Sequence, residues 1–336
     1  MVTPITVENE ITEAVELCDA NGCLNPKAVG WSRQPIIRAN LKGWGRNKRF
    51  EYWCVTSPGV IAALNVSHSD YRVTLAGFFL DLKTLENITI TEVHWLPGNR
   101  IPEMPEVSGS GTIIGKGDKI EVSIVPEPDG TRLRLESDRL SIDAFVHEPD
   151  SHQSMSVVVP WDHKRFQLTR KSNCLHTDGR VTADGKTYLF SKETAYATLD
   201  HGRGRWPYSI LWNWASASGR TDGHEIGLQF GGKWTEMTPS TENALKIDGQ
   251  VFKVSEELEW EYDPSDLMRP WKIRGNGIDL LFTPVFNRHS NFNRLIVLSR
   301  EDQCFGYFDG TITGPAGKNI KIKKLLGWAE EVHRRW

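Results

Sequence analysis

The densest run of chemistry-bearing side chains is Asp200-His201-Gly202-Arg203-Gly204-Arg205-Trp206-Pro207. A carboxylate beside an imidazole suits proton transfer, because the His pKa lies near working pH. Arg203 and Arg205 would hold an anionic or carbonyl oxygen, and the two glycines read as tight backbone in a charged loop. Neighbouring residues of a strand point oppositely, so a direct Asp200–His201 relay needs that loop. Downstream, Trp212, Trp214, Ser216 and Ser218 share one face at a two-residue period, and Asn213, Ala215 and Ala217 share the other. Two indoles and two hydroxyls suit a half-polar cavity wall, although the indoles fit a packed core equally well. Glu242-Asn243 follows a Pro-Ser-Thr turn. It is either a turn held by side-chain-to-backbone bonds or, with Asp200, a carboxylate pair of the glycosidase kind. Lys42, Arg46, Lys48 and Arg49 are interleaved with Trp44, Phe50, Tyr52 and Trp53, which is a local anion-holding patch or a solvated basic loop.

The elements that must carry these residues alternate with period two, and long helical stripes are nearly absent. Glu51 to Val66 reads as two strands broken at Ser57-Pro58-Gly59. Ile120, Val122 and Ile124 face one side, and Leu133, Leu135, Ile142 and Ala144 continue the alternation after turns. Pro128-Asp129-Gly130 is a hairpin signal in which Gly supplies the positive φ. Turns at roughly 8–12-residue spacing predict a sandwich or antiparallel barrel. Asn9 to Cys18 and the tail from Leu325 read as short terminal helices. The polar stretch Ser172 to Lys186 places a domain change near residue 180, giving domains 1–180 and 181–336.

Composition sets the outer limits. The 336 residues carry 40 Lys+Arg against 43 Asp+Glu, a net charge of −3, which argues against a dedicated nucleic-acid binder. No apolar run approaches a membrane span, and the acidic N-terminus lacks a signal-peptide pattern. Five scattered cysteines point to reduced thiols and a cytoplasmic location. There is no dinucleotide or Walker loop, no HExxH, no GxSxG and no tight His spacing, so neither a cofactor nor a metal is expected. The 13 tryptophans stand out. Trp206, Trp212 and Trp214 cluster beside the charged run, while Trp328 and Trp336 look like packing anchors.

Several segments resemble one family throughout the chain: Leu17-Cys18-Asp19, Leu24-Asn25-Pro26, Val29-Gly30-Trp31-Ser32-Arg33, Tyr52-Trp53-Cys54-Val55, Trp212 to Gly219, Glu242-Asn243, Pro270-Trp271, Phe305-Gly306 and Gly327-Trp328-Ala329-Glu330. They are similar to the bacterial family catalogued as domain of unknown function 2804. The resemblance implies a lipocalin-like fold of the hydroxyneurosporene synthase type, with two β-barrel-like domains. At that distance the relatives include carotenoid hydratases and polyketide cyclases. It carries over no catalytic residue, and fold analogy alone does not assign chemistry.

The expectation is therefore an all-β chain of two consecutive lipocalin-like antiparallel barrels or half-barrels. Its function would be a cofactor-independent hydratase, isomerase or cyclase acting on a small hydrophobic or lipid-like ligand. Asp200, His201 and Glu242 are the candidate catalytic residues; Arg203, Arg205, Trp212, Trp214, Ser216, Asn243 and Trp53 are the candidate ligand contacts. The alternatives are a non-catalytic intracellular carrier and a carbohydrate-active enzyme using Asp200 and Glu242.

Overall fold

The computed structural model describes residues 7–335, apart from 295 and 296. Trp336 lies outside them. Among the described residues there is no α-helix, only strands, tight turns and three single-turn 3-10 segments. Contacts divide the chain into two compact units. The N-terminal unit comprises Glu10–Val158 and Asp162–Trp206; the C-terminal unit takes the described residues through Asn9, Val159–Trp161, and the chain from Pro207 onward. The units change over at Trp206/Pro207, whereas the sequence suggested residue 180. Most of the polar stretch Ser172 to Lys186 belongs to the long strand Phe166–Ala183, which is paired along both edges.

In the N-terminal unit the sheet runs from edge strand Asn87–Trp95 through Arg72–Asp81, Val60–His68, Asn47–Thr56, Tyr196–Arg205 and Phe166–Ala183. It continues through Leu140–His147, Gly130–Ser137 and Ile120–Glu127 to Ile113–Lys116. Strands from the two ends of this order face each other: a Cβ at Gly77 would stand 2.5 Å from Leu135, and one at Gly115 would fall on Leu75. The sheet is thus curled into a half-barrel, which buries one apolar face inside. The expected alternation of Ile120, Val122, Ile124, Leu133, Leu135, Ile142 and Ala144 supplies that interior, together with Trp53, Val55 and Leu199.

The C-terminal unit has a nine-stranded antiparallel sheet in the order Gln250–Val254, Asn243–Ile247, His224–Gly232, Ser209–Thr221, Asn319–Arg335, Val297–Thr313, Ile278–Arg294, Trp271–Gly275, Glu259–Glu261. Its interior collects Ala215, Ala217, Phe230, Trp271, Phe282 and Phe308. Both units are curled half-barrel sheets, so the all-β, two-unit lipocalin-like architecture holds.

Three local expectations are corrected. Asn9 to Cys18 is extended, bridging Trp31 and pairing in parallel with Ile37–Arg38. The tail from Leu325 is the second half of strand Asn319–Arg335, hydrogen-bonded on both sides. Its buried residues Leu325, Trp328, Ala329 and Val332 imitate a helical stripe because a strand covered on both faces needs no polar alternation. At the 128–130 hairpin the positive φ falls on Asp129, at 62°, and not on Gly130. Gly130 is instead required by close approach, since a Cβ there would meet the Val146 carbonyl.

Candidate functional site

The charged run beginning at Asp200 is not a loop. Tyr196–Arg205 is a strand in the middle of the N-terminal sheet, buried almost end to end, between Asn47–Thr56 and Phe166–Ala183. Gly202 and Gly204 have no positive φ. They are small because a Cβ at Gly202 would strike the Phe50 ring, and one at Gly204 the Phe166 carbonyl.

Strand parity then sorts the run. Ala197 and Leu199 belong to the apolar interior. His201 and Arg203 continue that face. Asp200 takes the opposite face, where its carboxylate is paired with Lys171 Nζ at 2.7 Å and accepts from Thr169 Oγ1 at 3.3 Å. The structure therefore does not bring Asp200 to His201. The carboxylate that meets the imidazole is Glu51, directly opposite His201 in the strand register, with Oε1 3.0 Å from Nδ1. Glu51 also accepts from Arg203 Nη2 and from Trp53 Nε1, each at 3.4 Å. On the other flank His201 is paired in register with Arg170. That guanidinium donates to Ser154 at 2.9 Å and Ser108 at 3.1 Å, and forms an ion pair with Glu148.

Burial decides the protonation states. It pushes the His201 pKa down to about 4, and the charge of Arg203 adds to the effect, so the imidazole is neutral at physiological pH. Burial alone would raise Glu51, but the hydrogen bond from His201, the charge of Arg203 and the Trp53 indole outweigh it and keep the carboxyl below its ordinary value. Arg203 is lowered by burial to about 10 and stays charged. A carboxylate only accepts, so the neutral imidazole carries its proton on Nδ1. That leaves Nε2 as a bare acceptor: it is fully buried and has no hydrogen-bond partner among the described residues. An imidazole oriented through Nδ1 by a carboxylate, with Nε2 unpaired, has the orientation of a general base, and its lowered pKa makes it a weak one until a ligand changes its surroundings.

Beside this cluster lies a cavity lined by Glu51, Trp53, Leu199, Arg170, Glu148 and Ser108. Most of its roughly 280 Å³ of empty space is shared with open solvent or too narrow to hold a molecule, and the enclosed part is small. That is room for one water and no more. The segment joining Asn87–Trp95 to Ile113–Lys116 covers it. This strap reaches down with the Pro105 carbonyl, which accepts from Arg203 Nε and Nη2 at 3.2 Å each, and with the Ser108 hydroxyl on Arg170.

The other expected site residues lie elsewhere. Arg205 donates to Asn47, Gly22 and the Lys42 carbonyl, fastening the extended N-terminal segment to the sheet. Trp212, Trp214, Ser216, Glu242 and Asn243 belong to the C-terminal unit. Trp214 and Ser216 do share a face opposite the Ala215/Ala217 core face. Trp214 is buried edge-on to Trp328 at 5.2 Å with its N–H on Gln229, and half-exposed Trp212 donates to Glu330 at 2.9 Å. Glu242 accepts from Trp234 Nε1 at 3.1 Å, and Asn243 bridges the Gly231 N–H and the Glu256 carbonyl. Asp200 and Glu242 thus sit in different units, each engaged within its own. Of the candidates, His201, Arg203 and Trp53 converge. Glu51, Arg170 and Glu148 complete the cluster and were not singled out from sequence. Glu51 was within reach, two positions from Trp53 and therefore on its face.

Among the described residues, Glu92, His94 and Asp118 stand close enough to hold a metal. The Glu92 carboxylate already accepts two backbone N–H groups, and the Arg100 guanidinium lies against His94 and Asp118. The guanidinium offsets one of the two carboxylate charges.

Two antiparallel half-barrels, one with a buried imidazole–carboxylate pair at the end of its core, define a lipocalin-like protein of the two-domain type. The chain belongs to the family described as domain of unknown function (DUF2804), whose model matches residues 8–336. No curated protein matches it. Among solved structures it is similar to kievitone hydratase from Nectria haematococca, at 13% identity over 86% of this chain and 89% of that one, with a TM-score of 0.53. It is also similar to CghA with Sch210972 (9% identity, 87% and 89% coverage, TM-score 0.55). A third is an AttH-type protein from Nitrosomonas europaea (10% identity, 85% and 92% coverage, TM-score 0.51). At these identities the likeness is one of fold.

Proposed function

We propose that the protein is a cofactor-independent enzyme of the hydratase, isomerase or cyclase type that moves a proton on a small hydrophobic molecule in the N-terminal half-barrel. The observation that carries this reading is the buried His201, held through Nδ1 by Glu51 and unpaired at Nε2. Nε2 takes a proton from water, a hydroxyl or an activated C–H and returns it, so the reaction is redox-neutral. Glu51 orients the imidazole and stabilises its charged form, Arg203 holds Glu51 ionised, and Trp53 and Leu199 give the apolar wall. Asp200, Arg205, Glu242 and Asn243 act as structural ties in this reading, and Trp212 and Trp214 as packing. The hydratase among the solved structures of this fold supports the class of chemistry.

The test is incubation of the chain in D₂O with unsaturated carbonyl compounds, kievitone among them, followed by mass spectrometry. Deuterium or water uptake that His201→Gln lowers by about 10²–10⁴-fold is the expected result, the usual worth of a general base. Undiminished turnover in both His201→Gln and Glu51→Gln would sink the assignment.

A further inference from the structure

The strap over the cavity makes two unusual hydrogen bonds for a connecting segment. The Pro105 carbonyl sits on the Nε–Nη2 edge of Arg203, at 3.2 Å from both nitrogens, and the Ser108 hydroxyl sits on Arg170 Nη1 at 3.1 Å. The Nε–Nη2 edge is the fork that matches the two oxygens of a carboxylate. Here one neutral carbonyl oxygen sits on it, and the only charged acceptor among the described residues is the Glu51 carboxylate, 3.4 Å from Nη2. A neutral oxygen on the fork gives a buried guanidinium less than a charged acceptor would.

The strap itself is irregular. It has no strand partner between Leu96 and Thr112, and its one regular element is the single turn Gly98–Arg100. Gly98 and Gly109, with φ of 56° and 78°, stand towards its two ends. Apart from the two arginine contacts, it is tied by Glu106, whose carbonyl accepts from Ala39 N and whose carboxylate pairs with exposed Arg38, by the exposed Arg100–Asp118 ion pair, and by Met104, which is buried in the apolar interior. With the strap down, the cavity takes one water, so any organic ligand must replace part of it.

Charge narrows the ligand further. The groups facing this end of the core are Glu51 and Arg49 from strand Asn47–Thr56, Asp70 paired with Arg49, Arg203 from the His201 strand, Arg170 from Phe166–Ala183, and Glu148 just past Leu140–His147. They sum to zero while His201 is neutral. A carboxylate entering alone would leave one uncompensated buried negative charge, whereas a carboxylate that brings its proton leaves the cluster neutral. The unfilled Nε2 is the acceptor for that proton.

We propose that Pro105 and Ser108 hold the place of a ligand carboxylate, and that the site takes a carboxylic acid on an apolar body, the acid binding the Arg203 fork while its proton passes to His201. No bond other than the O–H is broken: the carboxylate keeps the electron pair and the imidazole gains the proton. The proposal rests on the same site as the function above and names the substrate class.

The experiment is calorimetric titration of the full chain at pH 7.5 with 4-phenylbutanoate and, separately, 4-phenylbutanamide, in two buffers of different ionisation enthalpy. The expected result is tighter binding of the carboxylate by at least tenfold, with uptake of close to one proton per site. Ser108→Ala, which removes one strap contact without touching His201 or Arg203, should tighten carboxylate binding by roughly fivefold, the worth of one ordinary hydrogen bond. Equal affinities for the two probes, carboxylate binding without proton uptake, or no carboxylate binding in either the native chain or Ser108→Ala would each overturn the proposal. The readings separate cleanly. Carboxylate binding with proton uptake, but no His201-dependent turnover on any unsaturated substrate, defeats the enzyme and leaves the carboxylate site standing. His201-dependent turnover with equal binding of the two probes does the reverse.

Discussion

His201 is a residue whose proton the fold withholds. The unfolded chain would bind it near pH 6.5, and the folded chain only near pH 4. Stability from this group is therefore fully present above 6.5 and is lost as pH falls towards 4, because the unfolded state then binds the extra proton. The urea midpoint of the native chain should drop across that window, and His201→Gln should drop less; parallel profiles would show that the imidazole does not titrate as described. Glu51→Gln removes the partner of two buried groups at once. With Arg203 left unpaired, the loss should be about 3–5 kcal/mol by chemical denaturation, larger than for Asp200→Asn, whose carboxylate is less completely buried on the other face. The residue types of this site were legible in sequence, since acid, imidazole and guanidinium stand in one run. Which acid serves the imidazole was not, because Glu51 comes 150 positions earlier and only the strand register joins them.

The strand Tyr196–Arg205 shows why the sequence misleads at the scale of the element. A run of Asp, His, Gly and Arg has the composition of a loop, and its glycines look like turn formers. They are packing glycines. Gly204→Ala should cost about 1–3 kcal/mol by urea denaturation, the range for overpacking. A Cβ there lands on backbone that cannot swing aside. A neutral outcome would mean that the sheet is looser at this point than its register implies. Elsewhere the period-two pattern sufficed, and the hairpins from Ile120 to Val146 fall where alternation put them. It failed at the C-terminus, where Glu330 and Glu331 look like the polar face of a helix. In the sheet they are internal acceptors: Glu330 takes the Trp212 N–H, and Glu331 takes Lys233 and Tyr262. Buried carboxylates with assigned donors are invisible to a pattern that treats charge as exposure.

At the scale of the whole molecule each half-barrel has its own apolar core, the first in the N-terminal sheet and the second in the C-terminal one, and a smaller third cluster around Leu17, Val158 and Phe166 lies in the N-terminal unit; the three share no residue. Phe282→Ala, which empties the centre of the second core, should cost about 3–5 kcal/mol and lower amide-exchange protection on strands such as His224–Gly232 before those of the N-terminal sheet. Uniform loss throughout the chain would mean that the units melt as one. The division by contacts does not follow the order of synthesis. Glu8 is counted with the C-terminal unit, buried against Lys253 and accepting from the Thr241 N–H at 2.8 Å, 233 positions away. On a ribosome adding 5–20 residues per second, this carboxylate waits roughly 10–50 s for its berth to exist. The residues around Glu8 thus settle only after 233 later ones have been made, and the N-terminal half-barrel must close while the segment leading into it is still loose.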